Sequence, residues 1–212
     1  MRKPMGYILI IAGVVLAVVG TVMVTRKDSP SSCMESVMEA EVSTPAKPEE
    51  IPNGSGLTES EQKGYDFEVW VKDHFDQNFF TLKEWRGDKH DKGTYAESNR
   101  YPDMEWSFDF NKKDVHESFA VECKWRKSFH NGSIEWASEE NIEIYNKFAE
   151  DRNMPVFVVI GIGGTPKSPD DVYVVPLKSL RYPFVKKEYL LGFQREDVQK
   201  NFYYDYDKDL LR

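Results

Sequence analysis

Between Phe119 and Trp125 the chain reads FAVECKW, an alternation that only an extended strand can sort into two faces. Glu122 and Lys124 then project from one face, while Val121, Cys123 and Trp125 project from the other. A carboxylate and an ammonium group set among apolar neighbours are poor core filling, because burying either costs heavily unless it is paired or binds a metal. A second apolar-rich run precedes this one, opened by Asp103 within Tyr101 to Arg126, and the polar segment Asn111 to Ser118 separates the two. The pattern predicts an antiparallel hairpin carrying Asp103, Glu122 and Lys124 toward one site.

The flanking segments predict the other elements. Thr58 with Glu61 has the spacing of a capping box, and Phe67, Trp70, Val71, His74 and Phe75 follow at helical spacing, so a helix is expected from Thr58 to about Asp76. Phe79 to Trp85 is expected as a strand and Gly87 to Arg100 as a long polar loop. Ser133 to Arg152 places Ile134, Ala137, Ile142, Tyr145, Phe148 and Ala149 near one face of a second helix. Pro155 to Ile162 is an almost unbroken apolar run, as expected of a central strand covered on both faces. The glycines at 161, 163 and 164 end that run, and Pro166 favours a turn over a phosphate-binding loop. Asp171 to Leu177 is expected as a further strand, with Pro176 marking its end or a sheet edge. The aromatic and charged remainder from Lys178 is expected to cover the sheet, without an assigned element.

Ahead of this region, Tyr7 to Val24 is an uncharged run of 18 residues between Arg2, Lys3 and Arg26, Lys27. As a helix it spans a hydrocarbon core of roughly 30 Å. It is longer than a usual signal-peptide core and no A-x-A-like site follows, so the reading is a retained single-pass transmembrane anchor over residues 1–27 rather than a cleaved signal. Basic residues on both flanks leave the side of the folded domain open. Residues 28–56, with four prolines, many serines and glutamates and little apolar periodicity, are expected as a flexible linker, and 57–212 as the folded domain.

The net charge is −8, about −7 of it in residues 57–212, which argues against a general basic coat for nucleic acid but not against a local basic groove. Cys33 and Cys123, one in the linker and one in an apolar strand, are poor disulfide partners, and two distant cysteines do not make a structural zinc site.

The expected order from Thr58 is helix, three strands, helix, strand. Pro102-Asp103 followed by Glu122-Cys123-Lys124 in that order resembles the PD-(D/E)-x-K nuclease superfamily. The resemblance implies an α/β, restriction endonuclease-like fold: an α-β-β-β-α-β core with a central mixed sheet flanked by helices, here preceded by the N-terminal transmembrane helix. It further implies a metal-dependent phosphodiesterase in which Asp103 and Glu122 bind Mg²⁺, with Mn²⁺ as a substitute, the backbone carbonyl of Cys123 joins them, and Lys124 is catalytic. Hard oxygen donors suit such a cation, and phosphodiester hydrolysis needs charge stabilised on the attacking and leaving oxygens. Glu68, on the first helix, matches the glutamate that many members place near the metal. The expected function is a membrane-anchored nuclease acting on nucleic acid, DNA in preference to RNA. The opposing expectation is a catalytically inactive restriction endonuclease-like binding or scaffold domain tethered to a membrane.

Asn141 and Tyr145 have the spacing of a Gln-x-x-x-Tyr pattern found in some branches, with Asn in place of Gln. Asp109 falls on the strand face of Asp103, as an acid near the site or part of a solvated face. Lys124 to Lys127, with Arg86, Lys89 and Lys92, form a candidate basic rim.

Overall fold

The computed structural model describes residues 57–87 and 100–212, which belong to one compact unit, Lys47–Arg212. The segments expected as an anchor and a linker, with Lys89 and Lys92, lie outside the described residues. Among those described, no helix is long and apolar enough to cross a membrane.

Helix α1 (Glu59–Asp73) begins at the capping box: the Thr58 hydroxyl accepts from the Glu61 N–H, and the Glu61 carboxylate accepts from the Thr58 N–H at 2.8 Å. It ends three residues short of the expected Asp76. His74 caps it, and the Asp76 carboxylate turns back to accept from the Asn78 N–H at 2.9 Å, a local bond that competes with helix continuation.

Strands β1 (Phe80–Trp85), β2 (Met104–Phe110) and β3 (Val115–Arg126) form an antiparallel meander. The link between β2 and β3 is shorter than the expected Asn111 to Ser118. A 3₁₀ turn over Asn111–Lys113 followed by Asp114 at φ 54° reverses the chain, aspartate being among the few side chains that tolerate the left-handed region. Strand β4 (Ser133–Glu135) replaces the first turn expected of the second helix, because it pairs with β7 (Phe184–Lys186) far downstream. Helix α2 (Glu139–Arg152) therefore starts at Ser138, whose hydroxyl accepts from the Asn141 N–H at 3.2 Å.

Strand β5 (Val156–Ile162), buried along its whole length, lies parallel to β3 and antiparallel to β6 (Asp171–Pro176). The sheet order is β1-β2-β3-β5-β6: a mixed sheet with α1 and α2 in the chain order expected of the core. Pro176 ends β6, which is an edge strand, as its missing N–H allows. The glycines after β5 form a turn: Gly163 and Gly164 take positive φ, and the Asp170 carboxylate accepts from the Gly164 N–H at 2.7 Å.

Each face of the sheet has its own core. One gathers Phe67, Trp70 and Val71 of α1 with Phe119, Val121 and Cys123 of β3 and Phe157 of β5. Each such ring taken fully out of water contributes about 1.5–3 kcal/mol. The chain from Lys178 covers both faces: Phe202, Tyr204 of β8 (Tyr204–Asp205) and Leu211 of β9 (Leu210–Leu211) close the first core, while Leu180, Val185 and Leu190, in the short helix α3 (Lys187–Leu190), close the second. That second core holds Ala120, Val158 and Ile160 against Ile142, Tyr145 and Phe148 of α2.

Candidate active site

The site forms where β2 stops short of β3. The last ladder pair is Met104 with Val121, so β3 runs on from Glu122 to Arg126 with β5 on one edge and, among the described residues, no strand on the other. The Asp103 carboxylate takes the place of a strand there, its Oδ2 accepting from the Cys123 N–H at 2.7 Å. The N–H and C=O of one strand residue point toward the same edge, so the Cys123 carbonyl faces the side occupied by Asp103. The Cys123 side chain packs in the α1-side core, where burial pushes the thiol well above its usual range.

Glu122 projects to the opposite face and is 1% exposed. Its Oε1 accepts from the Tyr145 hydroxyl of α2 at 2.7 Å and forms an ion pair with the Lys124 ammonium. Its Oε2 is buried with no hydrogen-bond partner. A buried carboxylate oxygen left bare is costly, and a cation is one of the few groups that offset that cost.

The charges act on one another. The Asp103 carboxyl is held well above the usual carboxylate range, first by burial and then by repulsion from Glu122 and Glu68, with Lys124 and the Cys123 N–H pulling back. Burial lowers the Lys124 ammonium pKa, but the attraction of Glu122 and Asp103 outweighs it, and the net shift is upward. Burial and the Glu122 charge raise the Tyr145 hydroxyl, which keeps it a donor.

Glu68, from α1, lines a cavity together with Asp103 and Lys124. Its Oε2 accepts from the Trp85 indole N–H at 2.8 Å, and a Cβ on Gly87 would lie only 1.8 Å from that oxygen, so the chain passes here without a side chain. The cavity, about 500 Å³, is lined by Glu68, Asp103, Cys123 and Lys124 with Lys63 and Arg126 at its margin. Among the described residues, no group of three or more His, Cys, Asp or Glu side chains is disposed to hold a metal ion. The protein donors at hand are two carboxylates and a strand carbonyl.

Two candidates lie elsewhere, and Asp109 fits the solvated alternative. Asp109 is at the far end of β2, roughly 20 Å from Asp103 at about 3.3 Å per residue, where its carboxylate accepts from Ser107 and pairs with His116. Arg86 is no rim cation. It is buried, pairs with Glu84 at 2.9 Å and with Glu105, and its guanidinium donates to the Pro102 carbonyl. Its backbone N–H donates to the Asp103 carbonyl at 2.8 Å, so Arg86 grips the Pro102-Asp103 segment from two sides. Sequence patterning does not reveal that role directly; the available signal is Glu105, a carboxylate between Met104 and Trp106 that needs a buried cation. Asn141 contributes its backbone N–H to the α2 cap.

No family model and no curated protein matches the chain. Among solved structures, it is similar to Hjc of Archaeoglobus fulgidus, a Holliday junction resolvase from an archaeal hyperthermophile. That similarity is 15% identity over 62% of this chain and 91% of that one, with a TM-score of 0.40.

Proposed function

We propose that the chain is a membrane-anchored, metal-dependent nuclease that hydrolyses phosphodiester bonds of nucleic acid, DNA in preference to RNA. The observation that carries the reading is the gathering of Asp103, Glu122 and Lys124 at the open edge of β3, with Glu122 Oε2 buried and unpartnered. The donor set fits a hard divalent cation: Asp103 and Glu122 repel each other in its absence, and the Cys123 carbonyl faces the same edge. Asp103, Glu122 and that carbonyl would hold Mg²⁺, or Mn²⁺ in its place. The chemistry so supplied is neutralisation of the phosphate and a more acidic bound water.

The chain's own groups account for the rest. Lys124, paired with Glu122 and lining the cavity, places an ammonium group where it would neutralise and orient an anionic phosphate. Tyr145 fixes the Glu122 carboxylate, and Trp85 fixes Glu68, the acid best placed to orient a water in the cavity. Lys63 lines the same cavity from α1 and adds a second cation for the anionic strand.

The full chain, purified in detergent, is expected to cut DNA with Mg²⁺ and not in EDTA, and to lose cleavage on Asp103→Ala or Lys124→Ala. Cleavage indifferent to metal and to both changes would sink the assignment. Binding of nucleic acid with no metal-dependent cleavage would favour the scaffold reading. Tethering is expected to show as carbonate-resistant membrane association that is lost when residues 1–27 are removed.

A further inference from the structure

An exposed aromatic and basic surface sits apart from the cavity but is joined to it through the β4–β7 ladder and the Arg126 side chain. Tyr182 is 75% exposed, Phe184 64% and Tyr189 48%, whereas most of the large rings among the described residues are buried. Their backbone is held firmly: the buried Trp136 donates its indole N–H to the Tyr182 carbonyl at 2.7 Å and its backbone N–H to the Pro183 carbonyl at 2.9 Å. The Tyr189 hydroxyl donates to the Ser179 carbonyl at 2.8 Å, so that ring too is positioned before anything binds. Alternation along β7 turns Val185 inward and leaves Phe184 and Lys186 on the outer face.

The charge of this segment runs against the rest of the chain. From Lys178 to Tyr189 there are four cations, Lys178, Arg181, Lys186 and Lys187, and a single acid, Glu188, in a chain of net charge −8. None of the four cations forms a salt bridge with a described carboxylate. A cavity of about 520 Å³ opens between Arg181, Tyr182, Phe184 and Tyr189. Solvated cations around rings on a rigid backbone form a platform for a flexible polyanion with flat faces.

The surface is also connected to the candidate site. Phe184 is in register with Glu135, and the Glu135 carbonyl accepts from Arg126 Nε at 2.8 Å, Arg126 being part of the cavity lining. We infer that Tyr182, Phe184 and Tyr189, with Arg181 and Lys186, bind an unpaired nucleic-acid strand by stacking, so that the substrate carries a single-stranded segment away from the bond to be cut. The substrate preference rests on the nuclease reading; the binding surface does not. Base pairing hides the faces that stacking requires, so a blunt duplex engages the cations but not the rings.

The test is fluorescence anisotropy of a labelled oligothymidylate and of a blunt duplex with the full chain in detergent and EDTA, where cleavage plays no part. Tyr182→Ala/Phe184→Ala is expected to weaken the single strand about tenfold or more and to leave the duplex nearly unchanged. Both rings are largely exposed, so the fold is expected to stand, and an unchanged melting temperature checks it. Single-strand affinity unmoved by the double change overturns the proposal, whether or not the chain cuts DNA. Single-strand binding lost in the double variant of a chain that never cleaves keeps the surface and discards the nuclease reading. If the change leaves the oligonucleotide untouched and instead abolishes binding of the full chain, held in nanodiscs, to phosphatidylserine vesicles, the patch is a membrane contact and the proposal fails.

Discussion

Glu105 and Glu122 stand on neighbouring strands, both buried, each beside a cation, and the arrangement around them differs in kind. Glu105 is paired through Oε1 with Arg86, and its Oε2 lies 3.7 Å from Arg152. Arg86 is itself committed to Glu84, to the Pro102 carbonyl and to the rings of Tyr101 and Phe148. Glu122 has Tyr145 and Lys124 on one oxygen and no hydrogen-bond partner on the other, and its cation is 24% exposed toward a cavity. Buried ion pairs add little net stability but fix geometry, and the first pair does so where the chain enters β2. The second leaves capacity unused at the open edge of the sheet, as a site for a ligand requires. A buried carboxylate alone does not indicate function, nor does an unpartnered atom, since Arg86 Nε has no partner either; what sets Glu122 apart is an unfilled oxygen beside Lys124 and Asp103 at an open strand edge.

If that contrast holds, the two glutamates fail differently. Arg86→Met leaves the buried Glu105 charge with only the half-exposed Arg152 at 3.7 Å and is expected to cost about 3 kcal/mol of stability, read by urea denaturation. Glu122→Gln is expected to lower metal-dependent cleavage about a hundred- to a thousandfold, while the midpoint of denaturation moves little. An amide still accepts from Tyr145, and Lys124 can swing its ammonium to water. Reversed outcomes, with Arg86→Met tolerated and Glu122→Gln unfolding the protein, would break the comparison. Tyr145→Phe tests one bond of the second site. Removing a hydrogen bond to a buried charge is expected to cost about 1.5–3 kcal/mol, with slower cleavage because Glu122 loses its orientation.

The parts of this molecule legible in its sequence are those whose signal is local. The capping box at Thr58, the apolar run of β5 and the alternation through Glu122 each declare an element within a few residues. Glu122 and Lys124 are legible as positions because the strand period alone sets their directions, whereas Asp103, one residue ahead of β2, is legible through the PD and E-x-K pattern. What stays hidden depends on distant partners. Ser133 to Glu135 has residues acceptable in a helix and becomes a strand because Phe184 to Lys186 arrives to pair with it. Arg86 has the composition of a loop cation and is buried because Pro102 and Glu105 are brought to it by the β1–β2 pairing. Tyr145 is legible by its spacing from Asn141, but its bond to Glu122 exists only once α2 packs on the sheet.

The smallest effect is expected from Arg86→Met/Glu105→Leu, which removes both charges of the structural pair. Apolar replacement of a buried pair is often neutral, so the loss seen in the single variant should be largely restored. A residual deficit of about 1–2 kcal/mol is expected, because the Pro102 carbonyl still loses its guanidinium donor. That remainder falls on the segment carrying Asp103, so the double variant should fold nearly as well as the parent and yet need more Mg²⁺ for half-maximal cleavage. Recovery of stability together with an unshifted metal requirement would mean that the grip on Pro102 and Asp103 is dispensable, and that the two buried glutamates are energetically separate.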